Sequence, residues 1–188
     1  MSNNPIFCTV LAFLFISLNL FSQTKPETQF IVPTVEAAPG EEICLEIKTL
    51  NFRDLMGLQM GIRWDSTALE LKSYDSPQLN IPPNQYNNPA DDPGLLLFTW
   101  TNVFSQTLAD SSVFLELCFA VKELAPTGFA FVSFDDKRIR TEIFLDEEIT
   151  GNPFVDAQFY PGGIQINEPG NDLKLSPKVE IVNTCIEK

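Results

Sequence analysis

The strongest constraint in this sequence is a two-residue hydrophobic period that recurs between proline- and glycine-rich breaks. Residues 42–48 (EICLEIK) set Ile43, Leu45 and Ile47 on one side and Glu42, Cys44, Glu46 and Lys48 on the other. Residues 56–64 group Leu58, Met60, Ile62 and Trp64 against Gln59, Gly61 and Arg63. Residues 95–102 group Leu96, Phe98 and Trp100, and residues 112–122 group Val113, Leu115, Leu117, Phe119 and Val121. Shorter runs at 29–35, 69–74, 129–134, 141–145 and 163–166 read the same way, with Pro33 marking the first as an edge strand. Ala38-Pro39-Gly40 and Pro126-Thr127-Gly128 are turns. Residues 76–94, rich in Pro, Asn and Asp, read as a long connection. No segment keeps a helical period over three turns. Such a chain buries one side of each strand by stacking two sheets, so the fold class is all-β, a two-sheet β-sandwich over residues 28–167.

The chain ends read differently. Residues 5–21 (PIFCTVLAFLFISLNLF) are apolar, uncharged and followed by a small residue, Ser22, as in a secretory leader. Residues 1–22 are therefore assigned to a signal peptide, with an uncleaved anchor as the alternative because no Lys or Arg precedes the run; 23–27 are assigned to a short leader and 168–188 to a tail or linker with one further strand at 179–182. Export implies a secreted or cell-surface location in an oxidising compartment. Nothing after the leader is apolar enough to span a membrane.

Composition excludes several classes of function. The chain has 25 acidic and 12 basic residues, a net charge of −13, which repels phosphate backbones and anionic lipid. It contains no histidine, and so lacks the commonest general base, triad partner and zinc ligand. No Walker loop, nucleophile elbow or zincin motif occurs. A carboxylate-only glycosidase would need two acids at a set separation, and acids are too plentiful here for proximity to mean much. Catalysis is accordingly not expected. Oxygen-rich loops at Asp91-Asp92, Asp135-Asp136 and Asp146-Glu147-Glu148 are of the type that can hold a structural Ca²⁺, but none has the spacing of a dedicated calcium loop. They read as solvated charge, and no cofactor is assigned.

The order of signals is more specific than any one of them. Ala38-Pro39-Gly40-Glu41 precedes the alternating strand at 42–48; a strand ending in Trp64-Asp65 precedes Leu69-Glu70; Phe98-Thr99-Trp100 and the strand at 113–121 follow; Gly162-Gly163-Ile164 closes the pattern. This resembles the cohesin domain, in which a Pro-Gly-Asp turn, a Tyr/Trp-Asp-Pro step and a closing Gly-Gly strand occupy these places, although Ser66 stands where the proline is usual. The resemblance implies a nine-stranded jelly roll that binds a dockerin through one sheet face, built from its strands three, five, six and eight. Carried over, the partner-binding face would comprise Gln59 and Arg63 around Gly61 in strand three, Leu97, Thr99 and Thr101 in strand five, and Phe114 and Glu116 in strand six. The implied partner is an extracellular protein, dockerin-like or adhesive. The rival reading is a carbohydrate-binding module of an extracellular polysaccharide system. Coplanar exposed rings would favour sugar, but Trp64 and Trp100 keep phase with aliphatic neighbours and read as core.

Three cysteines follow the leader: Cys44, Cys118 and Cys185. The resemblance implies a Cys44–Cys118 disulfide. Strict alternation puts both side chains outside, and with strands two and six taken to lie in opposite sheets they could not approach within the ~7 Å between Cα atoms that a bridge needs. A bulge that turns one of them inward, a bond from Cys185, or three free thiols remain the alternatives.

Overall fold

The structure is a computed structural model that describes residues 27–145 and 157–168. The predicted leader, the tail beyond Glu168 with Cys185, and Asp146-Glu147-Glu148 lie outside the described residues. Within them the chain forms β1 (Thr28–Ile31), β2 (Thr34–Ala37), β3 (Glu42–Leu50), β4 (Leu55–Trp64), β5 (Leu69–Asp75), a single 3₁₀ turn (Pro83–Gln85), β6 (Tyr86–Asn87), β7 (Leu95–Gln106), β8 (Ser112–Val121), β9 (Gly128–Asp135), β10 (Glu142–Leu145), β11 (Ala157–Tyr160) and β12 (Gly162–Ile166). One sheet has five strands in the order β11-β1-β3-β8-β5. The other has seven, in the order β2-β12-β9-β4-β7-β6, with β10 beside the start of β4.

The first and last strands each break and change sheets. Residues 28–37 and 157–166 run side by side, parallel, so that β1 pairs with β11 in one sheet and β2 with β12 in the other. Prolines mark both breaks. Across them the Val32 N–H donates to the Tyr160 carbonyl and the Gly163 N–H to the Pro33 carbonyl. The backbones are so close that a Cβ at Gly162 would lie 2.3 Å from the Val32 oxygen, a place only glycine can occupy. If each broken strand counts once and β10 counts as a continuation of β9 along the same flank of β4, the fold is the nine-stranded jelly roll.

The predicted apolar faces meet between the sheets. Leu45, Ile47, Leu58, Met60, Ile62, Trp64, Leu96, Phe98, Trp100, Leu117 and Phe119 are all buried. Phenylalanine dominates the centre: Phe30 packs edge-on to Phe114 at 4.8 Å between centroids and stacks on Phe159 at 5.6 Å, and Trp64 lies 5.5 Å from Phe119. Rings in these arrangements add roughly 0.5–1.5 kcal/mol per pair beyond the burial of their area.

Two strand assignments need correction. Residues 76–94 are not only a connection, because they contain β6, which pairs with β7 through Tyr86↔Phe98 and Asn87↔Leu97. Two residues between Gln85 and Asn88 are too few to show a period. Counting β6 makes the strand at 95–106 the sixth and β8 the seventh, and β8 lies in the five-stranded sheet. The second correction is Phe114, read as outward but fully buried. The β3–β8 register passes from Ile47↔Leu115 to Lys48↔Val113, leaving Phe114 as the extra residue of a bulge. The bulge shifts the phase by one residue, so Phe114 and Leu115 both reach the core.

Burial separates the two classes of phenylalanine. Phe114→Ala should cost about 3–5 kcal/mol of stability, whereas Phe131→Ala, at a position 42% exposed, should cost about 1 kcal/mol or less. Denaturant midpoints of the two variants test this, and equal losses would contradict the bulge assignment.

A candidate partner-binding face

The outer side of the seven-stranded sheet is built by register. Gln59↔Thr99, Gly61↔Leu97 and Gly57↔Thr101 link β4 to β7. On the other flank Gly61↔Asp135 and Arg63↔Ser133 link β4 to β9, and Gln59↔Glu142 links it to β10. Since Asp135 and Ser133 face outward with Gly61 and Arg63, the period brings Phe131 and Phe129 to the same face. They are 42% and 53% exposed. Thr99 and Thr101 are exposed and Leu97 is half-buried. Gly57 and Gly61 keep the middle of the face low, and Leu97 leans across β4 to within 3.2 Å of where a Gly61 Cβ would stand.

Five of the seven predicted face residues, Gln59, Arg63, Leu97, Thr99 and Thr101, thus share one surface. Phe114 and Glu116 do not: Phe114 is core, and Glu116 faces outward from the opposite sheet. Phe129 and Phe131 stand where the sequence pattern places β8. The signal for them was present in the sequence, because a polar phase through Ser133 and Asp135 carries back to residues 131 and 129. The two tryptophans are 5% and 3% exposed and offer no platform for a sugar ring. At the far end of β7 the register with β4 jumps from Thr101↔Gly57 to Gln106↔Leu55. Val103 and Phe104 in this excursion are 78% and 76% exposed.

Two residues of the face are already engaged. The Gln59 amide donates to the Arg140 carbonyl and to Glu142 Oε2, both at 3.1 Å. Arg63 forks: Nη1 and Nη2 reach the two oxygens of Asp92 at 3.0 and 2.9 Å, and Nε reaches Asp135 Oδ2 at 2.8 Å. Arg138 joins through Asp91 at 3.0 Å. The acids of the 76–94 connection therefore pin it to the sheet beside the face. Leu95, opposite Arg63, is fully buried though it lies outside the inter-sheet cluster. Asp136 instead closes its own loop, accepting from the Thr141 N–H and hydroxyl.

The pairing sets the titration. Hydrogen bonds to Asp92 and then Asp135 hold the Arg63 guanidinium well above its ordinary value. Asp92 is held low by its hydrogen bonds from Arg63. At Asp135 burial works against the charged form, but the Arg63 hydrogen bond and the Lys137 N–H outweigh it, and the carboxyl is also held low. Carboxyls lowered in the folded state contribute stability that is complete above the unfolded value, about 3.9, and is lost as pH falls through the folded values. In Arg63→Met this contribution disappears. The stability gap between wild type and Arg63→Met should be constant from about pH 7 to 5 and narrow below about pH 4. Urea unfolding across pH measures it, and a gap independent of pH would refute the clamp.

Comparison with known proteins gives a consistent result. The family model of the cohesin domain matches residues 28–142. None of the curated proteins searched matches the chain. Among solved structures, the seventh type I cohesin of ScaB from Pseudobacteroides cellulosolvens is 20% identical, with a TM-score of 0.61 over 76% of this chain and 94% of that one. The sixth cohesin of scaffoldin B from Acetivibrio cellulolyticus, solved in complex with a dockerin, is 22% identical, with a TM-score of 0.59 over 76% and 100%. A non-cellulosomal cohesin from the archaeon Archaeoglobus fulgidus is 14% identical, with a TM-score of 0.56 over 76% and 92%. At these identities the solved structures establish the fold, and the family match establishes membership: this chain belongs to the cohesin-domain family of non-catalytic binding modules.

Proposed function

We propose that this chain is an exported protein-interaction module that takes a dockerin-like partner on the outer face of β9, β4 and β7. The observation that carries this reading is the co-location of Leu97, Thr99, Thr101, Phe129 and Phe131 on one low surface. Apolar side chains gathered on a sheet face and rimmed by hydroxyls and amides suit a protein partner. The Arg63 clamp supports it as well, because an arginine neutralised by Asp92 and Asp135 leaves the surface without a strong unpaired charge at its centre. Solved relatives in this family occur in complex with dockerins. Export is supported by the leader-like residues 1–22 and by the Cys44–Cys118 disulfide.

The sugar reading draws on Phe129 and Phe131 alone, since both tryptophans are buried.

Isothermal titration against a panel of dockerin modules tests the proposal. One-to-one binding is expected, weakened at least tenfold by Thr99→Arg and by Phe131→Ala, roughly 1.4 kcal/mol or more each. Lys72→Ala, on the opposite sheet, should leave it unchanged. Failure of every dockerin, together with retention on an insoluble polysaccharide, would replace the protein reading with the carbohydrate one. Equal losses from both sheets would refute the assigned face.

A further inference from the structure

Four of the six large apolar side chains exposed among the described residues stand at the two ends of the face on β9, β4 and β7. Phe129 and Phe131 mark one end, where the Asp65 N–H just past β4 donates to the Phe131 carbonyl at 3.1 Å. Val103 and Phe104 mark the other, beyond Thr101, which pairs with Gly57. The eight residues from Gly57 to Asp65 span about 26 Å at ~3.3 Å per residue of extended chain. The excursion that carries Val103 and Phe104 is held in shape. Asn102 Oδ1 accepts from the Phe104 N–H at 3.4 Å, and the Gln106 amide donates to the Phe104 and Ser105 carbonyls at 3.4 and 3.2 Å. Just after it, the Leu108 N–H donates to the Phe52 carbonyl at 2.9 Å and the Asp54 N–H to the Thr107 hydroxyl at 3.1 Å. These bonds fix the backbone while both apolar side chains stay in water.

Resting on the face assigned above, we propose that the dockerin-like partner is held at both ends of it. The partner carries two apolar patches about 26 Å apart, one packing on Phe129 and Phe131 and the other on Val103 and Phe104, with uncharged hydrogen-bonding groups between them. The surface between the two anchors is continuous along β7. Residues 95–108 carry no charged side chain, and neither do residues 128–134, in a chain of net charge −13. A partner lying along β4 meets Leu97, Thr99 and Thr101 on the way from one anchor to the other and buries no charge of β7. Interface energy concentrates on aromatic side chains of this kind, and an excursion already fixed by its own hydrogen bonds loses little freedom when it is covered. Two separated anchors also discriminate, because a protein that matches one end forgoes the contribution of the other. Phe104 is thus a specificity-determining residue outside the flat part of the sheet.

The test uses the dockerin that binds the chain most tightly in the titrations above. Phe104→Ser should weaken binding about tenfold or more. Combined with Phe131→Ala it should weaken binding about a hundredfold, because sites this far apart act additively. Tyr160→Ser, at an exposed ring on the five-stranded sheet, should leave binding unchanged. Amide exchange at residues 102–106 should slow in the complex. Loss of affinity in Phe131→Ala with none in Phe104→Ser would overturn the two-ended interface and leave the proposed function standing, whereas failure of every dockerin to bind the wild type would remove both. Sedimentation of the chain alone should show a monomer. A dimer that Phe104→Ser dissociates would assign the excursion to a second copy and overturn the proposal.

Discussion

Everything in this molecule depends on which side of each strand is buried. A sandwich has one dry layer, and a strand contributes to it every second residue. A shift of one residue exchanges its core for its surface. That constraint explains why β4 and β7 present Gln59, Thr99 and Thr101 outward: Leu58, Met60, Phe98 and Trp100 are committed to the interior. The same logic makes the outer face a by-product of core packing, and its chemistry follows from which side chain each outward position carries.

Much of this was legible in the sequence. The long alternating runs at 42–48, 56–64 and 95–102 give strands with the right faces, and the order of turns and motifs points to the family. What was not legible has physical causes. β6 is too short to carry a period, and missing it displaces every later strand by one place in the count. β8 was therefore set in the wrong sheet, and Glu116 with it. Cys44 and Cys118 are a case in point: both face outward, as alternation requires, yet they meet because β3 and β8 are neighbours in one sheet. Phe114 escapes the pattern because a bulge adds a residue, and bulges leave no periodic mark. Phe129 and Phe131 look like core by composition, and only the polar phase of Ser133 and Asp135 assigns them to the surface.

The two faces of the sandwich solve different electrostatic problems. On the seven-stranded side, acids from a long connection and from β9 converge on Arg63 and neutralise it, fastening residues 76–94 to the sheet. On the five-stranded side, Glu46, Glu116 and Asp75 are held together next to a disulfide. In a chain with a net charge of −13, Asp91, Asp92 and Asp135 on the first side are paired with Arg63 and Arg138. The surface left in the middle is low over its glycines and edged by two phenylalanines, and it is the face proposed above for the partner.

Amide hydrogen exchange with and without a bound dockerin tests the central claim most directly. Exchange should slow at residues 57–63 of β4, 97–101 of β7 and 129–133 of β9, while β3, β5 and β8 are unchanged. Protection confined to β3, β5 and β8 would place the partner on the other sheet and contradict the assigned face.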